Sequence, residues 1–334
     1  MIGTRIILKD RKPLQELLPL ESPLVLFIDP SDKCCLKCSF CPSSDIGLMK
    51  SVGRPLQCMD FDLYKDIIDG LSKFKTKIKV VRLYSHGEPL LNKNFANMVR
   101  YAKNSGKVEM VDTTTNAICL NKKLSLDIVD AGIDRINISI NGVNEEQYQS
   151  FTSTKIHFNT LVENIKFLYE NRKQCYLFIK INGDVISKED CDKFLEIFEP
   201  ISDSLAIEHA MNCWEGFESD VKENKEIGIY GQPLQKEPLT CPYTQYSIAV
   251  QSSGLVSKCF LDWGLNMVVG DCNKETIYDI WNGKVVNGYQ TMMLEGKRKS
   301  DKYCKNCSQL IYGQASDIDE YSKEILEKRK CANG

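Results

Sequence analysis

The chain has 334 residues, 43% hydrophobic and 26% charged, the balance of a globular protein with room for one large domain, or a large and a small one. Its net charge of −2 gives no electrostatic case for nucleic acid or an anionic membrane surface as partner. The apolar runs fall far short of the ~20 residues of a membrane span, and MIGTRIILKDRK at the start has neither the apolar core nor the cleavage site of a signal peptide, so a soluble, cytoplasmic protein is expected.

From residue 24 to 210, β-rich apolar runs alternate with helix-patterned stretches. Strands are expected at 24–28, 79–84, 108–113, 135–140, 176–182 and 204–208. The stretches 61–74 (FDLYKDIIDGLSKF) and 158–173 (FNTLVENIKFLYENRK) repeat apolar residues every three or four positions, and Asn159 is read as the N-cap of the second. Repeated βα units imply a parallel sheet with outer helices, as an open sheet or a barrel. Such folds gather their functional groups at the C-terminal strand ends. Here those ends carry a cysteine loop, then SHGEP (85–89), TTNA (114–117), SING (139–142), KING (180–183) and HAMNCWEG (209–216).

The pattern changes after residue 213. Residues 214–240 read as a linker, 241–313 as a small α+β domain, and 314–334 as a mostly solvated terminal helix and tail. Residues 1–20 form an N-terminal extension to a core over 21–213. The stretch 275–296 (ETIYDIWNGKVVNGYQTMMLEG) reads as one helical segment.

Fifteen cysteines are a large excess, against three histidines, His86, His157 and His209. In a reducing compartment clustered thiols hold metal rather than disulfides. So few imidazoles leave thiolate-rich chemistry, iron–sulfur or zinc. In CCLKCSFC (34–41), Cys34, Cys38 and Cys41 have the spacing C-x3-C-x2-C, and Cys35 breaks it. Three thiolates reach three corners of a four-iron cluster and leave one iron open, and an open metal position is where chemistry happens. Spacing alone also fits zinc or a ferredoxin-like cluster.

With Phe40 before Cys41, the motif C-x3-C-x-aromatic-C resembles the signature of the radical S-adenosylmethionine (radical SAM) superfamily. HGEP (86–89) resembles the family's GGEP motif, with His86 in place of the first glycine. The resemblance implies an α/β fold, a partial (β/α)6 TIM-like barrel. It implies a [4Fe–4S] cluster on Cys34, Cys38 and Cys41 whose open iron chelates S-adenosylmethionine. It also implies reductive cleavage of that cofactor to a 5′-deoxyadenosyl radical, fed by an electron donor such as flavodoxin or ferredoxin. Cofactor contacts are carried over to Phe40, Gly87, Glu88, Pro89, Thr115, Asn116 and Ser139.

A second set, Cys241, Cys259, Cys304 and Cys307, surrounds Gly254 in the order C-x12-G-x4-C, helix, C-x2-C. It resembles the SPASM/twitch extension of radical SAM enzymes. The absence of cysteines in SQLIYGQAS (308–316) matches the shorter twitch form with one auxiliary [4Fe–4S] cluster. Four cysteines fit zinc equally well by count. The layout resembles that of twitch-domain aminocyclitol dehydrogenases, which implies oxidation of a sugar-like or cyclitol-like alcohol, with the cluster as electron acceptor.

Alternatives are a radical epimerase using Cys213 as hydrogen donor, a peptide-modifying maturase, or, in a different class, a non-catalytic iron–sulfur or zinc module. Cys213 lies in NCWEG with Trp214 as a candidate sugar wall, although buried cysteines are usually inert. Candidate bases at strand ends are Lys180, Glu208 and His209. Arg82 is read first as a structural ion-pair partner. No role is assigned to Cys58, Cys119, Cys175, Cys191, Cys272 or Cys331. The expected partner is a small molecule or glycan, with a peptide as the alternative.

Overall fold

The computed structural model describes residues 12–219, 221 and 225–333. Six strands succeed one another in parallel: β1 (Val25–Ile28), β2 (Ile78–Arg82), β3 (Val108–Thr115), β4 (Arg135–Ile140), β5 (Tyr176–Asn182) and β6 (Ser204–Glu208). Helices α1 (Phe61–Gly70), α2 (Phe95–Asn104), α3 (Lys122–Asp130), α4 (Phe158–Asn171) and α5 (Lys188–Phe198) lie on the connections. Strands β7 (Ser247–Val250), β8 (Leu255–Ser257) and β9 (Val268–Asp271) extend the same sheet, in the order β6-β5-β4-β3-β2-β1-β7-β8-β9. β6 ends the row without meeting β1, so the barrel is partial, as expected. β7 joins β1 in parallel, and β8 and β9 return antiparallel.

Strands of such a sheet are buried on both faces, which explains their near-continuous apolar runs. One face packs Val81, Val111, Ile136, Ile138, Ile179 and Leu205 against the helices. The other lines the barrel interior. There, register sets Phe27, Arg82, Asp112, Arg135 and Tyr176 in one row across five strands. Arg82 lies over the Phe27 ring at 5.5 Å, and Arg135 lies 5.2 Å from the rings of both Tyr176 and Phe178. The interior is therefore polar and aromatic, unlike the outer face.

Two local readings change, and the terminal helix is mostly solvated as expected. Asn159 is not the N-cap of α4; that position is His157. Phe158 begins the buried stripe Phe158, Leu161, Ile165 and Leu168, and its free N–H donates to Glu145 Oε1. The segment 275–296 is two helices, α6 (Ile277–Trp281) and α7 (Lys284–Leu294), broken at Asn282-Gly283. Asn287 Nδ2 donates to the carbonyls of both break residues and ties the second helix to the end of the first. The terminal helix α8 (Ser322–Asn333) is docked along one face: Ile318 and Ile325 pack with Leu14, Leu18 and Leu294. Among the described residues no helix is long and apolar enough to cross a membrane.

Ile318 is fully buried in that satellite cluster. Ile318→Ala should cost about 2–4 kcal/mol through lost burial and the cavity left behind, read as a lower urea midpoint of the apoprotein.

Candidate active site

The cysteine loop leaves β1 and is fixed from two sides. Lys37 N donates to Thr152 O (3.0 Å) and Ser39 N to Phe151 O (3.3 Å). Glu88 N donates to Lys33 O (2.7 Å), and Ser43 Oγ donates to His86 O, which ties the loop to 86–89. Gly87 is required by the close approach of the two. A Cβ there would fall 2.0 Å from Ser31 O and 2.5 Å from Lys33 O.

Glu88 is buried and pins the second loop to β3. Its Oε1 accepts from Thr115 Oγ1 (2.5 Å) and Leu90 N (3.0 Å), and its Oε2 accepts from Asn116 N (2.8 Å). Burial pushes its carboxyl up to about 7 against these bonds. Buried Pro89 opens the short turn Pro89–Leu91. Asn116 Nδ2 lies 3.7 Å from Cys34 Sγ and 3.5 Å from Cys35 Sγ. Ala117 takes φ +60° just beyond, a conformation that a non-glycine residue adopts only under constraint. Cys38 and Cys41 face each other across a turn, and burial with these neighbouring thiols pushes Cys38 up to about 12. Phe40 is half-buried on the loop, and half-buried Ser139 pairs in register with Lys180.

The structure thus brings Cys34, Cys38 and Cys41 together with Gly87, Glu88, Thr115 and Asn116. It also brings in two residues given no role. Cys35 lies between Cys34 and Cys119, whose thiols both hydrogen-bond to it and favour its thiolate. No spacing rule links Cys119 to the loop; their contact arises from strand order.

The second set converges too. Cys241, Cys259, Cys304 and Cys307 line one cavity of ≈ 450 Å³. A single zinc ion needs its thiolates pointed at one centre. A cuboidal cluster instead spreads its ligands, and the surroundings suit its excess negative charge. Buried Lys258 Nζ lies 3.6 Å from Cys304 Sγ, and Leu261 N donates to Cys259 Sγ at 3.4 Å. Fully buried Arg298 donates to Cys304 O and Pro238 O and pairs with Glu237. Gly254 holds the turn between β7 and β8 at φ +90°.

Cys213 lines the same cavity and feels the charge of Cys307 and Cys41, one thiol from each set. Burial pushes it up to about 12. Its neighbour Trp214 lies 5.7 Å from the His86 ring. A row of aromatic rings lies beside the second set. Phe260, next to Cys259, stacks on Phe27 at 4.7 Å; Tyr243 and Tyr84 close its sides. The sequence reading passed over Phe260 and Tyr243, and their closeness to Cys259 and Cys241 was the available signal.

Among the described residues, each candidate base has one partner, while Glu208 Oε1 is buried without one. Lys180 Nζ pairs with Glu208 Oε2 at 2.5 Å, and His209 Nδ1 meets Asp184 Oδ1 at 2.7 Å. Arg82 pairs with Asp112 at 3.5 Å and reaches Tyr84.

A family model described as "Radical SAM superfamily" matches residues 28–199, and one described as "Iron-sulfur cluster-binding domain" (SPASM) matches 241–308. Among curated proteins, a GTP 3′,8-cyclase of Limosilactobacillus fermentum is 30% identical over 53% of this chain and 55% of its own length. One of Staphylococcus carnosus is 26% identical over 42% and 41%. The chain thus spans about half the length of these relatives, or less. Among solved structures, BtrN in complex with AdoMet and 2-DOIA is 18% identical, with a TM-score of 0.54 over 85% of this chain and 92% of its own. Streptococcus suis SuiB bound to the precursor peptide SuiA is 14% identical, with a TM-score of 0.63 over 87% and 71%. These structural likenesses concern the fold.

Two outcomes follow from the geometry. Gly87→Ala should weaken S-adenosylmethionine binding roughly ten- to hundredfold, because backbone must shift, measured by equilibrium dialysis. Glu88 has a native pKa raised from 4.5 to about 7. Its contribution to stability is complete below pH 4.5 and is lost as pH rises through about 7. Glu88→Gln should remove that part of the pH slope in urea midpoints of the apoprotein.

Proposed function

The chain belongs to the radical SAM superfamily, and on that premise we propose that it oxidises a secondary alcohol of a sugar-like or cyclitol-like substrate by two electrons. It is a radical SAM enzyme with a SPASM-type iron–sulfur region. Cys34, Cys38 and Cys41 would hold the cluster with the open iron, and Cys241, Cys259, Cys304 and Cys307 the auxiliary cluster. Gly87, Glu88, Thr115, Asn116 and Ser139, with Phe40 and Pro89, would shape the cofactor pocket. When bound, these groups supply a 5′-deoxyadenosyl radical and a one-electron acceptor.

One observation carries the reading: Cys213 lines the cavity of the second set and lies within electrostatic reach of Cys41 of the first, which supports two cluster sites serving one reaction space. Four protein thiolates leave an auxiliary cluster no position for substrate, which suits it to taking an electron. The half-buried rings of Tyr84 and Phe260, backed by buried Phe27, would give a polyol ring an apolar face, and Arg82 a polar edge. BtrN, whose structure holds 2-DOIA, shares the fold. The position of Cys213 favours a second reading, epimerisation with that thiol returning a hydrogen atom. SuiB, bound to a peptide, keeps peptide substrates as an outcome of the test.

The test is anaerobic reconstitution, iron counting and turnover with dithionite, S-adenosylmethionine and a panel of cyclitols, sugars and peptides. About eight irons, 5′-deoxyadenosine and a ketone are expected. Cys34→Ala, Cys38→Ala or Cys41→Ala should remove about four irons and all 5′-deoxyadenosine. Cys213→Ala should leave ketone formation largely intact. An inverted alcohol lost in Cys213→Ala would establish the epimerase instead, and about four irons in the wild type would remove the electron acceptor.

A further inference from the structure

Lys258 is a buried cation whose hydrogen bond goes to a thiol. It follows β8, immediately before Cys259, and is 3% exposed. Its N–H donates to Met267 O at 3.1 Å, which fixes the backbone beyond the strand end. Among the described residues, Nζ makes one hydrogen bond, to Cys304 Sγ at 3.6 Å. The Asp301 carboxylate lies beyond hydrogen-bond reach, with Oδ2 at 3.7 Å. Its Oδ1 is occupied, accepting from Tyr303 N (2.9 Å) and Cys304 N (3.0 Å). The ring of Tyr289, on α7, covers Nζ at 3.5 Å.

A buried ammonium is costly unless an opposite charge or a good acceptor meets it. Arg298, the other buried cation beside these thiols, is met in full: it pairs with Glu237 and donates to Pro238 O and Cys304 O. Lys258 has a thiol, an aromatic face and a carboxylate held off. A neutral thiol is a weak acceptor. A thiolate ligating iron is a strong one, and Cys241 feels the same positive charge. The placement of Lys258 therefore suits an anionic group in the cavity that it lines with the four cysteines. The first set differs. There the contact to a ligand sulfur comes from a neutral amide, Asn116 Nδ2 at 3.7 Å from Cys34 Sγ, and Cys34 feels the Glu88 carboxyl.

We propose that the Lys258 ammonium raises the reduction potential of the auxiliary cluster, an inference that rests on reading the second set as an iron–sulfur centre that accepts an electron. A [4Fe–4S] unit with four thiolates is already anionic, and reduction adds one more negative charge. A fixed cation beside one ligating sulfur favours the reduced form over the oxidised one. Net charge, hydrogen bonds to the sulfurs and exclusion of solvent are the levers that set such potentials. Lys258 supplies the first two, and its burial keeps water from screening its charge. Asp301 works against it. Lys258 touches no reacting atom; it acts through Cys304 and is a positioning residue for the electron.

The test needs no substrate. The reconstituted holoenzyme is titrated potentiometrically and followed by electron paramagnetic resonance, with and without S-adenosylmethionine. The signal that S-adenosylmethionine leaves unchanged belongs to the auxiliary cluster. Lys258→Gln keeps a donor of similar reach and removes the charge. At a fixed potential its ratio of reduced to oxidised auxiliary cluster should fall roughly tenfold, a midpoint about 60 mV lower. Lys258→Arg should keep most of the wild-type midpoint, and Asp301→Asn, which removes the opposing charge, should raise it. The midpoint of the first cluster should stay in place in all three. A merely structural lysine would lower iron content and leave the midpoint of the remaining cluster where it was.

An unchanged or higher midpoint in Lys258→Gln overturns the proposal. If that variant does not hold the auxiliary cluster, Asp301→Asn decides, and a midpoint that fails to rise there overturns it. About four irons in the wild type would remove the auxiliary cluster and the proposal with it. About eight irons with a midpoint indifferent to residue 258 would leave the electron acceptor standing and remove only the role of the lysine.

Discussion

The parallel pairing of Val25–Ile28 with Ser247–Val250 fixes where everything else can be. β1 delivers the first cysteine loop from its C-terminal end, and β7 sits between Cys241 and Cys259. With four register contacts between the two strands, neither cysteine set can move without the other. The same pairing stacks Phe27 on Phe260 and sets Asp29 beside Gln251. Ser85 Oγ to Phe260 O (3.2 Å) and Arg54 to the Asp262 and Trp263 carbonyls add side-chain ties across the same seam. The hydrophobic core is continuous across it: Ile248, Val250, Val256, Ile277 and Trp281 join the cluster of the barrel helices.

Charge burial is concentrated along this seam. Lys258 and Arg298 are buried beside thiols, and Asp29, Asp32 and Arg54 are buried where the loops meet. Unpaired buried charge is costly, and full compensation needs a partner of opposite sign or a change of protonation. Near the second cysteine set the positive groups complement an anionic cluster. Around Asp29 the compensation is incomplete within the protein, and its carboxyl moves toward the neutral form.

Much of this was legible in the sequence, because it is locally encoded. The strands at 135–140, 176–182 and 204–208 begin and end where β-branched and aromatic patterning places them. The cysteine spacings, the glycine of 86–89 and the turn glycine 254 each state a backbone or ligand requirement within a few residues. What escaped was long-range or a contest between local rules. Asn159 is a good N-cap residue, yet burying Phe158 moved the helix start. The apolar period of 275–296 hid the Asn282-Gly283 break. Cys119 beside Cys35, and Asp29 beside Gln251, follow from strand order alone. His209 and Lys180 sit at strand ends as expected, but whether a carboxylate meets them depends on the partner strand.

The sheet order also bears on how the chain is made. β1 is among the first strands to be synthesised, and β2 can cover one of its edges early. Its other edge waits for residues 247–250, on the far side of the whole βα series. At ~5–20 residues per second, that wait is roughly 10–45 s. During it a short apolar strand beside the cysteine loop has an open edge, the kind of surface that pairs with other chains. A strand made late therefore closes one made early, and a nascent chain released before residue 250 would carry the cysteine loop next to an open strand edge.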